Sequence, residues 1–183
     1  FKIEPGLITK RPRKIEDAQE TTFEFFRLMG LDSLQFPKGK NVIKKLKFEN
    51  GQTVEADSVS SAELIEVDYY FADFDKLPVV YTKKGSSPVF ALVANEKVVY
   101  AKKEISNIDL FRFATYPIKP ISQAWDELKA GGGFFNSQNT STTIKIKEIK
   151  LGYAIGLKNN LYIQPSYLFF GEGDFIAFVP AVS

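Results

Sequence analysis

The chain reads as an α+β protein built of two tandem units, each a short helix packed on an antiparallel sheet. Three observations predict this. Apolar residues recur at every second position in several runs, which turn signals separate. Two isolated stretches carry apolar residues at helical spacing, and each runs into glycine. The order helix-then-strands occurs twice, and a helix is the usual cover for one face of a small sheet.

Residues 1–20, with Pro5, Gly6 and Pro12, read as a lead-in or a first short strand. A helix follows over Glu20–Gly30: Thr21 or Thr22 caps it, Phe23, Phe26 and Met29 share a face, and Gly30 accepts the left-handed turn that ends it. From Asn41 onward polar and apolar residues alternate, and Asn50-Gly51 is the strongest hairpin signal in the chain, because both residues accept positive φ. Glu63–Phe71 alternates through Ile65, Val67, Tyr69 and Phe71. Leu77–Thr82 is a strand after the Asp73–Lys76 turn, and Lys83–Pro88 is a loop. Val89–Ala94 is apolar throughout and belongs in the middle of a sheet; Asn95-Glu96 turns the chain into Lys97–Lys102.

The second half opens on the extended connector Tyr116–Pro120. A helix over Ser122–Ala130 has Ser122 as its cap and Ile121, Trp125 and Leu128 as its apolar stripe; Gly131–Gly133 stops it. Asn136–Thr142 is a polar loop. Thr143–Tyr153 alternates with a phase shift at Lys147-Glu148, the mark of a bulge. Lys158–Asn160 is a turn, and Leu161–Phe170 is a long strand in which Pro165 argues for an edge or a bulge. Gly171–Asp174 turns into a last strand, Phe175–Val182.

Set side by side, Glu66–Tyr70, Leu77–Tyr81 and Val89–Val93 correspond to Glu148–Tyr153, Gln164–Leu168 and Phe175–Val179, with a proline at a similar point of each middle strand. The expected organisation is a lead-in over 1–20, a first unit over 21–115 and a second over 116–183.

Composition narrows function by exclusion. Cysteine and histidine are both absent, which removes disulfides, thiolate nucleophiles, zinc–thiolate sites and the Ser-His-Asp and Cys-His machines. A net charge of +2 supplies no global field toward nucleic acid. The basic patch Lys10–Lys14 reads as a solvated arm. No apolar run is long enough to span a membrane, and since the sequence opens on Phe1, a leader or anchor helix upstream would lie outside it.

The remaining acids form no site in the sequence. Asp73 with Asp75 reads as turn charge and Asp126 with Glu127 as helix-face charge. Asp73, Asp75, Glu172 and Asp174 lack the spacing of a calcium loop. Gly131–Gly133 follows a helix instead of preceding one, so it is no phosphate cradle. No cofactor and no metal are expected.

The closing strands are aromatic on both faces. Alternation sets Tyr162, Gln164 and Ser166 against Ile163, Pro165 and Tyr167, and Phe175, Ala177 and Val179 against Ile176 and Phe178. Either one face packs on a helix and the other on the neighbouring unit, or part of this surface binds a partner, with Tyr162, Gln164 and Tyr167 as the candidate partner-binding residues.

Ile121-Ser122, Ala124-Trp125, Leu128, Leu151-Gly152-Tyr153, Gln164-Pro165, Tyr167, Phe169 and Ala177 make residues 116–183 resemble bacterial extracytoplasmic α+β modules of the PepSY-like and YycH/YycI kind. That resemblance implies a membrane-tethered protein at the bacterial surface, or a secreted one, that modulates a sensor kinase or a peptidase by protein contact. The expected function is therefore non-catalytic protein binding outside the cytoplasm. The alternatives are a carboxylate-dependent hydrolase of cell-envelope polymer and a structural surface or assembly subunit.

Overall fold

A computed structural model describes residues 12, 14–83, 87–105, 107–135, 143–156, 162–173 and 175–183. Its elements are α1 (Ile15–Leu28), β1 (Asn41–Glu49), β2 (Gln52–Glu55), β3 (Leu64–Tyr69), β4 (Val79–Tyr81), β5 (Val89–Ala94), β6 (Lys97–Lys103), α2 (Ile121–Lys129), β7 (Phe134–Phe135), β8 (Ile146–Ile155), β9 (Pro165–Gly171) and β10 (Ile176–Pro180). The fold is α+β, with two helices and two mostly antiparallel sheets. The chain forms two compact units, Phe1–Phe71 with Ser87–Ile108, and Ala72–Ser86 with Asp109–Ser183. Each is discontinuous in sequence. The calls on residues 1–11, Asn136–Thr142 and Lys158–Asn160 lie outside the described residues.

The first unit is an antiparallel sheet of order β2-β1-β3-β5-β6 with α1 against β3, β5 and β6. Asn50 and Gly51, at φ 52° and 79°, make the two-residue β1–β2 turn, and Asn95 and Glu96 make the β5–β6 turn in the same way. This backbone matches the right-handed twist of the strands it joins. The apolar run Val89–Ala94 lies inside the sheet, between β3 and β6.

The helix begins earlier than the Thr21/Thr22 cap implies. It starts at Ile15, Lys14 holds the cap position without a side-chain bond, and Glu16 and Asp17 set negative charge in the first turn, where the helix dipole favours it. Thr22 is mid-helix and buried with Ala18 and Phe26, four residues apart, while Met29 is exposed. The Thr22 hydroxyl lies 2.6 Å from the Tyr69 hydroxyl and donates to the Gln19 carbonyl. It is committed to the core instead of to a cap.

The second sheet has the order β4-β8-β9-β10-β7, antiparallel except that β4 runs parallel to β8. The proposed repeat matches β4 with the middle strand of the second half, yet β3 pairs directly with β5 and β4 joins β8. The local cause is Gly152. A Cβ there would lie 2.5 Å from the Pro78 carbonyl oxygen and 2.6 Å from Leu168 Cδ1. Its absence lets Tyr153 N–H donate to the Pro78 carbonyl and Thr82 N–H to the Ile155 carbonyl, both at 2.8 Å.

The bulge expected at Lys147-Glu148 appears as a register shift between Ile146 and Glu148. Pro165 is not on an edge strand: β9 is paired on both sides, and proline is accommodated as its first residue. Helix α2 begins at Ile121 with Pro120 at the cap position, so Ser122 lies inside the helix and caps nothing. Ile121 is exposed; Ala124, Trp125 and Leu128 pack instead on Tyr167, Phe169, Ala177, Val179 and Ala181. Both helices stop as their glycines suggest. Gly30 and Leu31 donate to the Arg27 and Phe26 carbonyls, and Gly131 and Gly132 to those of Leu128 and Glu127, the paired bonds of a Schellman end.

Gly152→Ala is expected to lower stability by about 1–3 kcal/mol, read as a shifted urea midpoint. Gly39→Ala, where a new Cβ meets nothing within 4 Å, is its control and should leave the midpoint in place.

Candidate functional site

Two features stand out, one in each unit. In the first, β3 alternates Ile65, Val67 and Tyr69 with Glu66 and Asp68, so both carboxylates leave the sheet on the face opposite the Tyr69–Thr22 contact with α1. Lys44, across from Glu66 in register, places its Nζ 2.6 Å from Glu66 Oε1 and 2.7 Å from Asp68 Oδ2. Asp68 is 2% exposed and accepts a 2.6 Å hydrogen bond from Ser87 Oγ at Oδ1. Its Oδ2 has the Lys44 ion pair but no aligned donor.

Burial works against the Lys44 ammonium, but hydrogen bonds and charge from Asp68 and Glu66 outweigh it and hold the group above the ordinary lysine range. Burial also raises the Tyr70 hydroxyl, helped by the charge of Asp68, and raises the Tyr69 hydroxyl against its hydrogen bond with Thr22. A lysine shared between two carboxylates, with one carboxylate sealed from solvent, ties strands together. It offers neither an open acid nor a free base to a substrate.

In the second unit, residues 109–118 connect to α2. Asp109 Oδ1 accepts from the Phe111 amide, and Arg112 pairs with Asp109 at 3.3 Å. At the other end Ile118 bridges Val182, and the Lys119 and Ser183 amides donate to the Ala181 and Pro117 carbonyls. Between these anchors Phe111 is 94% exposed, Phe113 84% and Tyr116 64%, with Leu110 and Ile118 also exposed. Among the described residues, the amides of Phe113, Ala114, Thr115 and Tyr116 meet no hydrogen-bond acceptor.

The residues named from sequence are spread more widely. Tyr162 is 74% exposed and Gln164 is exposed. Tyr167 is buried beneath α2, and its hydroxyl donates to the Lys119 carbonyl at 2.8 Å, so it belongs to the core of the second unit. Asp75 and Lys76 occupy the tight turn closed by Phe74 and Leu77. Asp126 pairs with Lys129 and Glu127 with Lys119. Among the described residues, no group of three acidic side chains is placed to hold a metal ion, and no helix is long and apolar enough to cross a membrane.

Leu110–Phe113 was open to sequence reasoning as an aromatic cluster between two recognisable elements, and Glu66 and Asp68 as acids inside an otherwise apolar strand. No protein-family model, no curated protein and no solved structure matches this chain.

Removing the Asp68 carboxylate leaves Lys44 with Glu66 alone and Ser87 with the Val89 carbonyl alone. With Lys44 35% exposed and partly rescued by water, Asp68→Ala should cost about 2–3 kcal/mol in chemical denaturation. Tyr69, Tyr70 and Lys44 all titrate higher in the folded chain than in the unfolded one. The stability they contribute is therefore full below about pH 10 and is lost as pH rises beyond it. Denaturation midpoints should fall through that range, and Tyr69→Phe should flatten the fall.

Proposed function

We propose that this chain is a non-catalytic extracytoplasmic protein that acts by binding another protein, with residues 110–118 as its contact element. The observation that carries the reading is the exposure of Leu110, Phe111, Phe113, Tyr116 and Ile118 in one short stretch held at both ends. Aromatic residues with a single arginine are the composition that protein interfaces favour, and a contiguous apolar surface of this size needs a reason. Exposed Tyr162 and Gln164 are secondary candidates for the same role.

The acids that a hydrolase would use support the same reading. Glu66 and Asp68 are engaged with Lys44, Glu127 with Lys119 and Asp126 with Lys129. Placement outside the cytoplasm, and a sensor kinase or peptidase as the regulated partner, rest on the resemblance of residues 116–183 to PepSY-like and YycH/YycI modules.

The test is capture from an envelope extract of the producing cells, using the full chain and its Phe111→Ser/Phe113→Ser variant. The expected result is a stoichiometric partner retained by the first and lost by the second, with the variant's denaturation midpoint unchanged within about 0.5 kcal/mol. Identical retention by both, or none by either, overturns the reading.

A further inference from the structure

We infer that the peptide bond between Arg112 and Phe113 is a processing site for an endopeptidase that cuts after arginine, and that the cut chain stays together as a two-chain protein through β4. This goes beyond the protein-binding reading and stands without it.

A protease draws several consecutive residues into its cleft in extended form, so it cuts where the backbone is exposed and bonded to little else. The chain holds four arginines, Arg11, Arg13, Arg27 and Arg112. Arg27 lies in the last turn of α1, where it pairs with Glu24 and its carbonyl accepts from the Gly30 amide. Arg112 belongs to no helix or strand, and its side chain is 86% exposed.

On the carboxyl side of the bond, the amides of Phe113–Tyr116 meet no acceptor among the described residues. On the amino side the polar contacts of Phe111 and Arg112 all go to Asp109. The Arg112 amide donates to its carbonyl at 3.4 Å, the guanidinium stands 3.3 Å from its Oδ2, and the Phe111 amide donates to its Oδ1 at 3.0 Å. A long amide bond and an exposed ion pair yield at small cost. Hydrolysis adds water across the bond, leaving a carboxylate on Arg112 and an ammonium on Phe113.

The cut falls inside the second unit, which draws on both sides of it: Ala72–Ser86 and residues 109–112 go with one fragment, residues 113–183 with the other. Strand β4 therefore stays on the first fragment and its partner β8 on the second. Val79, Val80 and Tyr81 pair with Tyr153, Ala154 and Ile155. Val80 packs on Ala154, Leu168 and Phe178, and the Phe74 ring meets Tyr153 edge-on with centroids 5.9 Å apart. None of these contacts uses residues 109–118, so hydrolysis removes none of them. An edge strand of one chain becomes a strand donated from one chain to another, a mode in which main-chain hydrogen bonds supply affinity.

The test is limited digestion of the native full chain with an arginine-specific endopeptidase, read by intact mass and by gel filtration without denaturant. Apart from trimming at Arg11 and Arg13, the expected result is one cut, after Arg112, with Arg27 spared. The two fragments should elute together at the position of the whole chain and separate in concentrated urea. Arg112→Gln should abolish the cut and leave the urea midpoint in place. Gly152→Ala, which crowds the Pro78 carbonyl, should let the nicked fragments part at lower urea than those of the unsubstituted chain. A native chain left whole after Arg112, or cut at Arg27 as fast, overturns the site. Fragments that part without denaturant, or that stay joined equally well with Gly152→Ala, overturn the role of β4. Each of these results leaves the protein-binding reading standing.

Discussion

The first unit depends on one buried carboxylate. Asp68 joins three stretches of chain: its own strand β3, strand β1 through Lys44, and the return of the chain at Ser87. Sealing a carboxylate away from water costs several kcal/mol, so the arrangement is tolerated only while the ammonium and the hydroxyl are both in place. That requirement sets where the chain re-enters the unit after leaving it at Phe71. Val89 follows two residues later, opposite Tyr69, and β5 runs directly beside β3.

The same constraint explains the course of residues 72–86. With β3 and β5 adjacent, no position is left between them for Val79–Tyr81, and the second sheet takes up that strand. Gly152 makes this possible by leaving room for the Pro78 carbonyl. The Leu151-Gly152-Tyr153 motif therefore has a steric role in this chain: its glycine admits a parallel edge strand where any Cβ would collide with main chain.

Much of the fold was legible because its signals are local. Asn50-Gly51 and Asn95-Glu96 announce turns by backbone preference alone, Gly30 and Gly131 end helices for the same reason, and the phase shift at Lys147-Glu148 exposes its own bulge. What misled was non-local. Thr22 looks like a cap until Tyr69, distant in sequence, claims its hydroxyl. Pro165 looks like an edge residue although its strand is central. Nothing within Val79–Tyr81 says which sheet will accept it. The site follows the same pattern: Tyr162 and Gln164 are exposed, but Tyr167 alternates inward under α2, a direction set by where the helix packs.

The central claim is that the first unit is held by the frame around Asp68, while residues 110–118 of the second unit stand exposed as its contact element. Hydrogen exchange on the full chain, followed from dilute to concentrated solution, tests this most directly. The account predicts slow exchange across Leu64–Tyr69 and Val89–Ala94 at every concentration. It predicts fast exchange at Phe113–Tyr116, whose amides meet no acceptor among the described residues. Protection of Phe113–Tyr116 in the dilute chain, or exchange across Leu64–Tyr69 as fast as there, would contradict it.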